Sequence, residues 1–212
     1  MRGGQIDGIA TAFRGLGVST VYEAAGQQGL IDVPLIQVVP GSRAAGPART
    51  VRCGQDDNLM VHAVMDQARP GEVLVVTMPE PRPVALVGEL LAEQARVREV
   101  AGLLVDAAVR DAEELARLGL PIWSRFVRAT GATKKGVGSV GEPVTVGGAR
   151  INHGDIVVMD ADGAVVVPAA RRDEVAVAAQ ARAMRESALR EQLRAGQLTY
   201  DLNDLRRLVE RG

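Results

Sequence analysis

The chain has 212 residues, with 25 Lys+Arg against 26 Asp+Glu and a hydrophobic share of 47%. That is the composition of one globular domain, or of a domain with an appended helix, and not of a disordered chain. The balanced charge excludes the basic footprint of a nucleic-acid binder. No apolar run approaches the roughly 20 residues that cross a bilayer, so no membrane partner is expected, and the polar start (Arg2, Gln5, Asp7) reads as no signal peptide. The single cysteine, Cys53, leaves no internal disulfide, which points to a reducing cytoplasm.

Three scarcities narrow the chemistry. His62 and His153 are the only histidines, so a His/Cys zinc site would muster three ligands at most. Lys134 and Lys135 are the only lysines, and a Schiff-base enzyme would have to use one of them. Five aromatic residues (Phe13, Tyr22, Trp123, Phe126, Tyr200) are too few for base-stacking platforms. Metal chemistry here would use oxygen ligands, which favours magnesium or manganese.

Along the chain, Val18–Gln27 reads as a short helix with Ser19 and Thr20 as caps. Asn58–Arg69 has helical periodicity closed by Pro70–Gly71, and Val73–Val76 is an apolar run of buried-strand type. Leu86–Arg98 is expected to be helical, Val100–Val105 a buried strand, Asp106–Arg110 a loop and Asp111–Leu118 a helix. After Pro121 the pattern changes to short strands, Ile122–Val127, Pro143–Val146, Ile156–Met159 and Ala164–Val167, separated by glycine-bearing turns. A long Ala/Arg/Glu-rich helix from Arg171 to about Ala195 follows, then a tail over Leu198–Gly212. Helix–strand units followed by a β-rich half indicate a mixed α/β layer structure. Residues 1–170 would form the main domain. In the long helix, Arg182 and Glu186 interrupt the stripe of Val175, Ala178, Ala179, Leu189 and Leu193; it suits docking on a neighbouring subunit or packing on its own domain.

Two short motifs carry candidate chemistry. Gly88–Glu89–Leu90–Leu91 opens a helix, whose first amides are unpaired and could hold a carboxylate, while Gly88 admits a ligand close to the backbone. Asp106–Asp111 follows a buried strand, where α/β layers bind ligands. Arg110 could grip a carboxylate through its planar fork, and Asp111 could anchor a hard cation. The competing reading of Asp111 is a helix cap, since Asp111–Glu114 has capping-box spacing, and on local sequence alone the cap outweighs the metal ligand.

The stretch GELLAEQARVREVAGLLVDAAVRDAEEL (88–115) resembles the aldolases acting on 4-hydroxy-4-methyl-2-oxoglutarate and 4-carboxy-4-hydroxy-2-oxoadipate, which share a fold with the regulator of ribonuclease activity A. The likeness continues in STVYEAAG (19–26), DDNLMVHAVMDQARPGEVLVV (56–76), LPIWSR (120–125), GATKKGVGSVGEPVTVGG (131–148) and HGDIVVMDADGAVVVPAAR (153–171). The family's Gly-x-x-Leu, followed about twenty residues on by Arg-Asp, is matched by Gly88–Leu91 and Arg110–Asp111. It implies a layered α-β-β-α sandwich of the swivelling-domain kind with a long C-terminal helix.

The same resemblance implies a metal-dependent pyruvate aldolase with an oxaloacetate decarboxylase side activity. Asp111 would hold Mg²⁺ or Mn²⁺, Arg110 would contact the pyruvyl oxygens, and the Leu90 and Leu91 amides would bind its carboxylate. Glu89 takes the position of an acid that orients a proton-carrying water; the family often has Asp there. Glu23 and Glu186 fall where acids approach the metal's waters from an adjacent subunit of a homotrimer or homohexamer, although Arg182 and Arg190 flank Glu186 at helix ion-pair spacing. Lys134 lies in a segment that could serve a second substrate carboxylate, or is simply solvated. The rival function is a non-catalytic protein that inhibits an RNA-degrading enzyme by contact. The segment from Arg171 onward favours the enzyme, because the regulator-like proteins largely stop before such a helix.

Overall fold

The computed structural model describes residues 12–210; Arg2, Gln5 and Asp7, weighed above against a leader, and Arg211 and Gly212 at the end of the expected tail lie outside them. Helix α1 is Val18–Ala24. Its N-terminus is held by neither Ser19 nor Thr20: the Val18 N–H donates to Asp160 Oδ2 at 3.0 Å, so a distant strand caps this helix. Strands β1 (Ile36–Gln37) and β2 (Ala44–Arg52) lead to helix α2 (Leu59–Gln67) and strand β3 (Val73–Thr77). Next come β4 (Ala85–Val87), α3 (Glu89–Val97), β5 (Gly102–Val109), α4 (Ala112–Leu118) and β6 (Ile122–Val127). The β-rich half holds β7 (Ser139–Val140), β8 (Val144–Val146), β9 (Ala149–Ile151), β10 (Ile156–Asp160) and β11 (Gly163–Val167). A single 3₁₀ turn enters α5 (Arg172–Arg194), and the short helices α6 (Thr199–Leu202) and α7 (Arg206–Val209) follow.

The main sheet runs β1-β6-β5-β3-β2-β10-β11, with β4 added on β5 and β7 on β2; β8 and β9 form a separate hairpin. The β2–β3, β3–β5, β4–β5 and β5–β6 pairs are parallel, and β2–β10 and β10–β11 are antiparallel. Strand β2 joins the two parts: Ala44–Pro47 pair with β10, whereas Ala48–Arg52 pair with β3. Pro47, which has no N–H for a ladder, sits where the strand changes partner. Gly46 is required there, because an added Cβ would lie 2.0 Å from the Gly71 carbonyl oxygen.

Side-chain alternation along the strands sorts the interior into three cores between four layers. Leu74, Val76, Leu103, Val105 and Ile122 face α2, α3 and α4. Val73, Val75, Leu104 and Trp123 turn the other way, onto Val157, Met159, Ala164 and Val166. Ile156, Val158, Val165 and Val167 face outward again, against Val21 of α1 and Val175 and Ala179 of α5. This is the α-β-β-α sandwich. The Trp123 indole N–H donates to the Asp160 carbonyl at 3.0 Å, pinning β6 to β10 across the middle core.

Several expected boundaries move: the first helix ends at Ala24 and not at Gln27, and two shifts fall beside the motifs. Leu86 and Val87 belong to β4 and not to the following helix, which starts after Gly88. Asp106–Val109 continue β5, so only Arg110 remains of the expected loop. Helix α5 buries Val175, Ala176 and Ala179 and then emerges; Met184 is exposed, as are Leu198, Leu208 and Val209 beyond it. Among the described residues, no helix is long and apolar enough to cross a membrane.

Candidate active site

Strands β4 and β5 are hydrogen-bonded parallel neighbours, with Val87 in register with Val109. Their carboxyl ends therefore lie side by side, and each is followed at once by one half of the motif: Gly88 after β4, Arg110 after β5. The Arg110 N–H donates to the Val87 carbonyl at 3.0 Å, and the Glu89 N–H donates to Asp111 Oδ2 at 3.0 Å. Residues 22 positions apart in sequence thus meet because of strand pairing.

Asp111 occupies the N-cap position of α4 in left-handed conformation (φ 61°, ψ 43°), and its side chain makes no capping bond to that helix. The cap reading is corrected: the carboxylate turns away from its own helix toward the head of α3. Left-handed backbone costs an aspartate about 1 kcal/mol or more, so the surrounding contacts must impose it. Arg110 Nε lies 3.7 Å from Asp111 Oδ2.

Glycines make this packing possible. A Cβ on Gly88 would stand 2.6 Å from Asp111 Oδ2 and 3.1 Å from Arg110 Nε. One on Gly131 would stand 2.8 Å from an Arg110 terminal nitrogen. The first backbone bond of α3 runs from the Ala92 N–H to the Gly88 carbonyl, which leaves the Leu90 and Leu91 amides at the positive end of the helix dipole.

These groups line a cavity of about 410 Å³, which Gly88, Glu89, Leu90, Leu91, Arg110 and Asp111 share with Asn58, His62 and Lys134. Arg110 and Asp111 also border a second hollow of about 500 Å³ with Val127, Arg128 and Ala129. The Arg-Asp pair therefore forms a ridge between two openings.

Sequence reasoning missed Asn58 and His62 as lining residues. Their spacing of four on one helix face was the available signal. The Asn58 amide donates to the Leu86 carbonyl at 3.0 Å, bracing β4. Burial and the neighbouring Lys134 charge push the His62 pKa below its ordinary value, so the ring is neutral at physiological pH. Asp57, buried beside Asn58, accepts the Thr133 hydroxyl and the Lys135 N–H, each at 2.6 Å, and the Leu59 N–H at 2.9 Å. Burial works to raise its pKa, but these hydrogen bonds prevail and hold it well below the usual carboxylate range. Cys53 is buried, and its thiol pKa is pushed up to about 12 by burial, with the Asp57 charge adding to the shift.

Glu23 and Glu186 lie on the opposite outer layer, on α1 and α5, and do not line the cavity of their own chain. Arg182 brings them together: its Nε is 2.8 Å from Glu186 Oε1, without the alignment of a hydrogen bond, and a terminal nitrogen is 4.0 Å from Glu23 Oε2. The expected ion pair between Arg182 and Glu186 is present.

A metal fits this site in a restricted sense. Asp111 Oδ1 accepts no hydrogen bond among the described residues, and the side chain is 40% exposed. No group of three or more His, Cys, Asp or Glu among the described residues could enclose an ion. One accessible carboxylate suits a hard cation that keeps most of its waters, as magnesium does.

The fold resembles that of an uncharacterized protein from Pseudomonas syringae (TM-score 0.81, 24% identity, 91% of this chain and 94% of that one). It also resembles Streptomyces coelicolor RraAS2, an unusual member of the RNase ES inhibitor RraA protein family (TM-score 0.76, 28% identity, 86% of this chain and 96% of that one). A relative in Halalkalibacterium halodurans, provisionally named a 4-hydroxy-4-methyl-2-oxoglutarate aldolase, is 35% identical over 133 residues. That alignment takes in 63% of this chain and spans 63% of the relative's length. The Aldolase/RraA family model matches residues 18–166, both cavity motifs included, and the chain belongs to this RraA-like family.

Proposed function

We propose that the protein is a divalent-metal-dependent aldolase that cleaves a 4-hydroxy-2-oxo di- or tricarboxylic acid to pyruvate and a second oxo acid, with oxaloacetate decarboxylation as a side activity. The observation that carries this reading is the Asp111 carboxylate, presented to the cavity from left-handed backbone beside Arg110 instead of capping its helix.

Asp111 would hold Mg²⁺ or Mn²⁺. Bound there, the cation supplies Lewis acidity that draws electrons from the bond to be cleaved. The Leu90 and Leu91 amides bind the substrate's C1 carboxylate, and Arg110 binds its 2-keto oxygen, where negative charge grows as the C3–C4 bond breaks. The C4 hydroxyl gives up its proton through water as its carbon becomes the carbonyl of the second product. Glu89 orients the water that protonates C3 and so releases pyruvate. Loss of CO₂ from oxaloacetate develops charge on the same oxygen and uses the same groups.

In a homotrimer or homohexamer, Glu23 and Glu186 of a neighbouring copy would approach the metal's waters, and residues 171–212 would pack on that neighbour. The exposed far half of α5 supports this assignment. Non-catalytic binding of an RNA-degrading enzyme is the second reading, favoured by the likeness to the Streptomyces coelicolor protein. Pyruvate release from 4-hydroxy-2-oxo acids and oxaloacetate, measured with Mg²⁺ and with excess EDTA, separates them. Metal-dependent release supports the aldolase; no release, with ribonuclease co-purification, supports the inhibitor.

A further inference from the structure

Helix α2 is fastened at its first turn on both sides. The Asn58 side-chain amide donates to the Leu86 carbonyl of β4 at 3.0 Å, and its backbone N–H donates to the Thr133 carbonyl of the facing loop at 2.9 Å. The His62 N–H reaches back to the Asn58 carbonyl at 3.3 Å, so His62 belongs to the same anchored turn. Positions four apart share a helix face, and both side chains line the cavity. His153, the other histidine, is tied through Nδ1 to the Ala48 carbonyl at 3.0 Å and lies off the cavity. The His62 ring is exposed at the cavity and has no hydrogen-bond partner among the described residues.

The charged groups that share this space are Glu89, Arg110, Asp111 and Lys134, and Asp66 follows His62 one turn on along α2. Asp57 clamps the residues on either side of Lys134 through the Thr133 hydroxyl and the Lys135 N–H, so the positive charge beside the ring has a fixed attachment. Burial and that charge keep the imidazole in its neutral, proton-accepting form at physiological pH.

In the aldolase reading, the α3 amides take the substrate's C1 carboxylate, Arg110 takes the oxygen on C2, Asp111 would hold the cation and Glu89 serves C3. C4 then lies toward the walls that remain, α2 and the Lys134 loop. Of their side chains, His62 alone can take up a proton near neutral pH, because a lysine is already protonated there.

We propose that His62 is the base that receives the C4 hydroxyl proton through one water. This rests on the aldolase reading above. As the proton reaches a ring nitrogen, the O–H electron pair becomes the second bond of the new C4 carbonyl. The C3–C4 pair moves between C2 and C3, and a C2–O pair shifts onto the oxygen at Arg110. C3 then takes a proton from the water that Glu89 orients, and the imidazolium returns its proton to the hydroxide left behind, so the proton count closes. Oxaloacetate has no C4 hydroxyl. Its C3–C4 pair is released by loss of CO₂, and only the C3 step remains.

The test uses the full chain with Mg²⁺ and compares cleavage of 4-hydroxy-4-methyl-2-oxoglutarate with decarboxylation of oxaloacetate. His62→Gln should lower kcat/KM for cleavage about a hundredfold or more, as for loss of a general base, while decarboxylation falls by less than about threefold. Wild-type cleavage should decline on the acid side with a pKa below about 6.5, and that limb should be missing from His62→Gln. Imidazole added to His62→Ala should restore part of the cleavage rate; if that variant does not fold, His62→Gln decides. Equal losses in both reactions, or none in either, would overturn the base while leaving the aldolase reading intact. A wild-type protein that carries out neither reaction would overturn both.

Discussion

The Asp111 carboxylate accepts the Glu89 N–H at 3.0 Å, and this one hydrogen bond joins the end of β5 to the head of α3. It draws Asp111 out of the capping role its position invites and places a carboxylate beside the unpaired amides of a helix N-terminus. A helix edge of unpaired amides and a carboxylate oxygen are thereby set next to each other, the arrangement that the proposed chelation of a 2-oxo acid would use. Gly88 keeps the two elements close enough for the bond to form.

The left-handed backbone of Asp111 separates its structural cost from its chemical use. Asp111→Gly removes the conformational penalty but also the Glu89 bond, so its stability should match wild type to within about 1 kcal/mol. Asp111→Asn tolerates the same φ and should also fold. Both should lose metal-dependent pyruvate release by about a hundredfold or more, as removal of a metal-binding or transition-state-stabilising group does. Thermal unfolding and a coupled pyruvate assay on the same preparations check this; an Asp111→Asn variant with near-wild-type turnover would refute the assignment.

Gly88→Ala tests the fit without removing a polar group. Gly88 has an extended backbone (φ −133°), so alanine meets no conformational penalty. The added methyl would stand 2.6 Å from Asp111 Oδ2 and must displace it. The expected outcome is a fall in activity of about tenfold or more, with destabilisation of about 1–3 kcal/mol from overpacking. Activity at the wild-type level would show that the Asp111 side chain moves freely and is not held for function.

How far the sequence reveals this arrangement depends on the range of each interaction. Strands β3, β10 and β11 are legible because their apolar residues are continuous and turn residues bound them, and β6 because Pro121 precedes a segment rich in β-branched and aromatic residues. Strand β2 escapes because Gly46–Pro47 reads as a break, whereas the strand only changes neighbour there. The end of β5 reads as loop because it carries Asp106, a carboxylate with 4% exposure that pairs with Arg125 at 3.2 Å. Gly88–Leu91 and Arg110–Asp111 are found as local motifs, but their meeting depends on β4, three residues hidden in front of a helix. The Lys134 wall is less legible still, since Asp57 reaches it across 76 and 78 positions.

Arg110 offers a test of geometry against charge. Its Nε lies 3.1 Å from where a Cβ on Gly88 would stand and a terminal nitrogen 2.8 Å from one on Gly131, so both ends of the fork approach glycine backbone. Arg110→Lys keeps the charge but substitutes a shorter point cation that cannot bridge two oxygens. Pyruvate release should drop by about a hundredfold, and kcat/KM should fall more than substrate affinity if the contact matters most as charge develops. A lysine variant within twofold of wild type would show that the site needs only a positive charge.

Asp57 predicts a pH signature of stability. Its pKa is lower in the folded chain than the roughly 3.9 of an unfolded aspartate. The stabilisation from its ionised form is therefore fully present above the unfolded value and is lost progressively as pH falls through about 4 toward the folded pKa. Asp57→Asn keeps the shape but removes the charge that three donors address, and should cost about 2 kcal/mol at pH 7. Urea midpoints of the two proteins should converge as pH drops from 5 to 3, because acid removes from the wild type what the substitution has already removed. A constant difference across that range would show that the Thr133 and Lys135 bonds do not depend on ionised Asp57, and the clamp on the Lys134 loop would then be neutral hydrogen bonding alone.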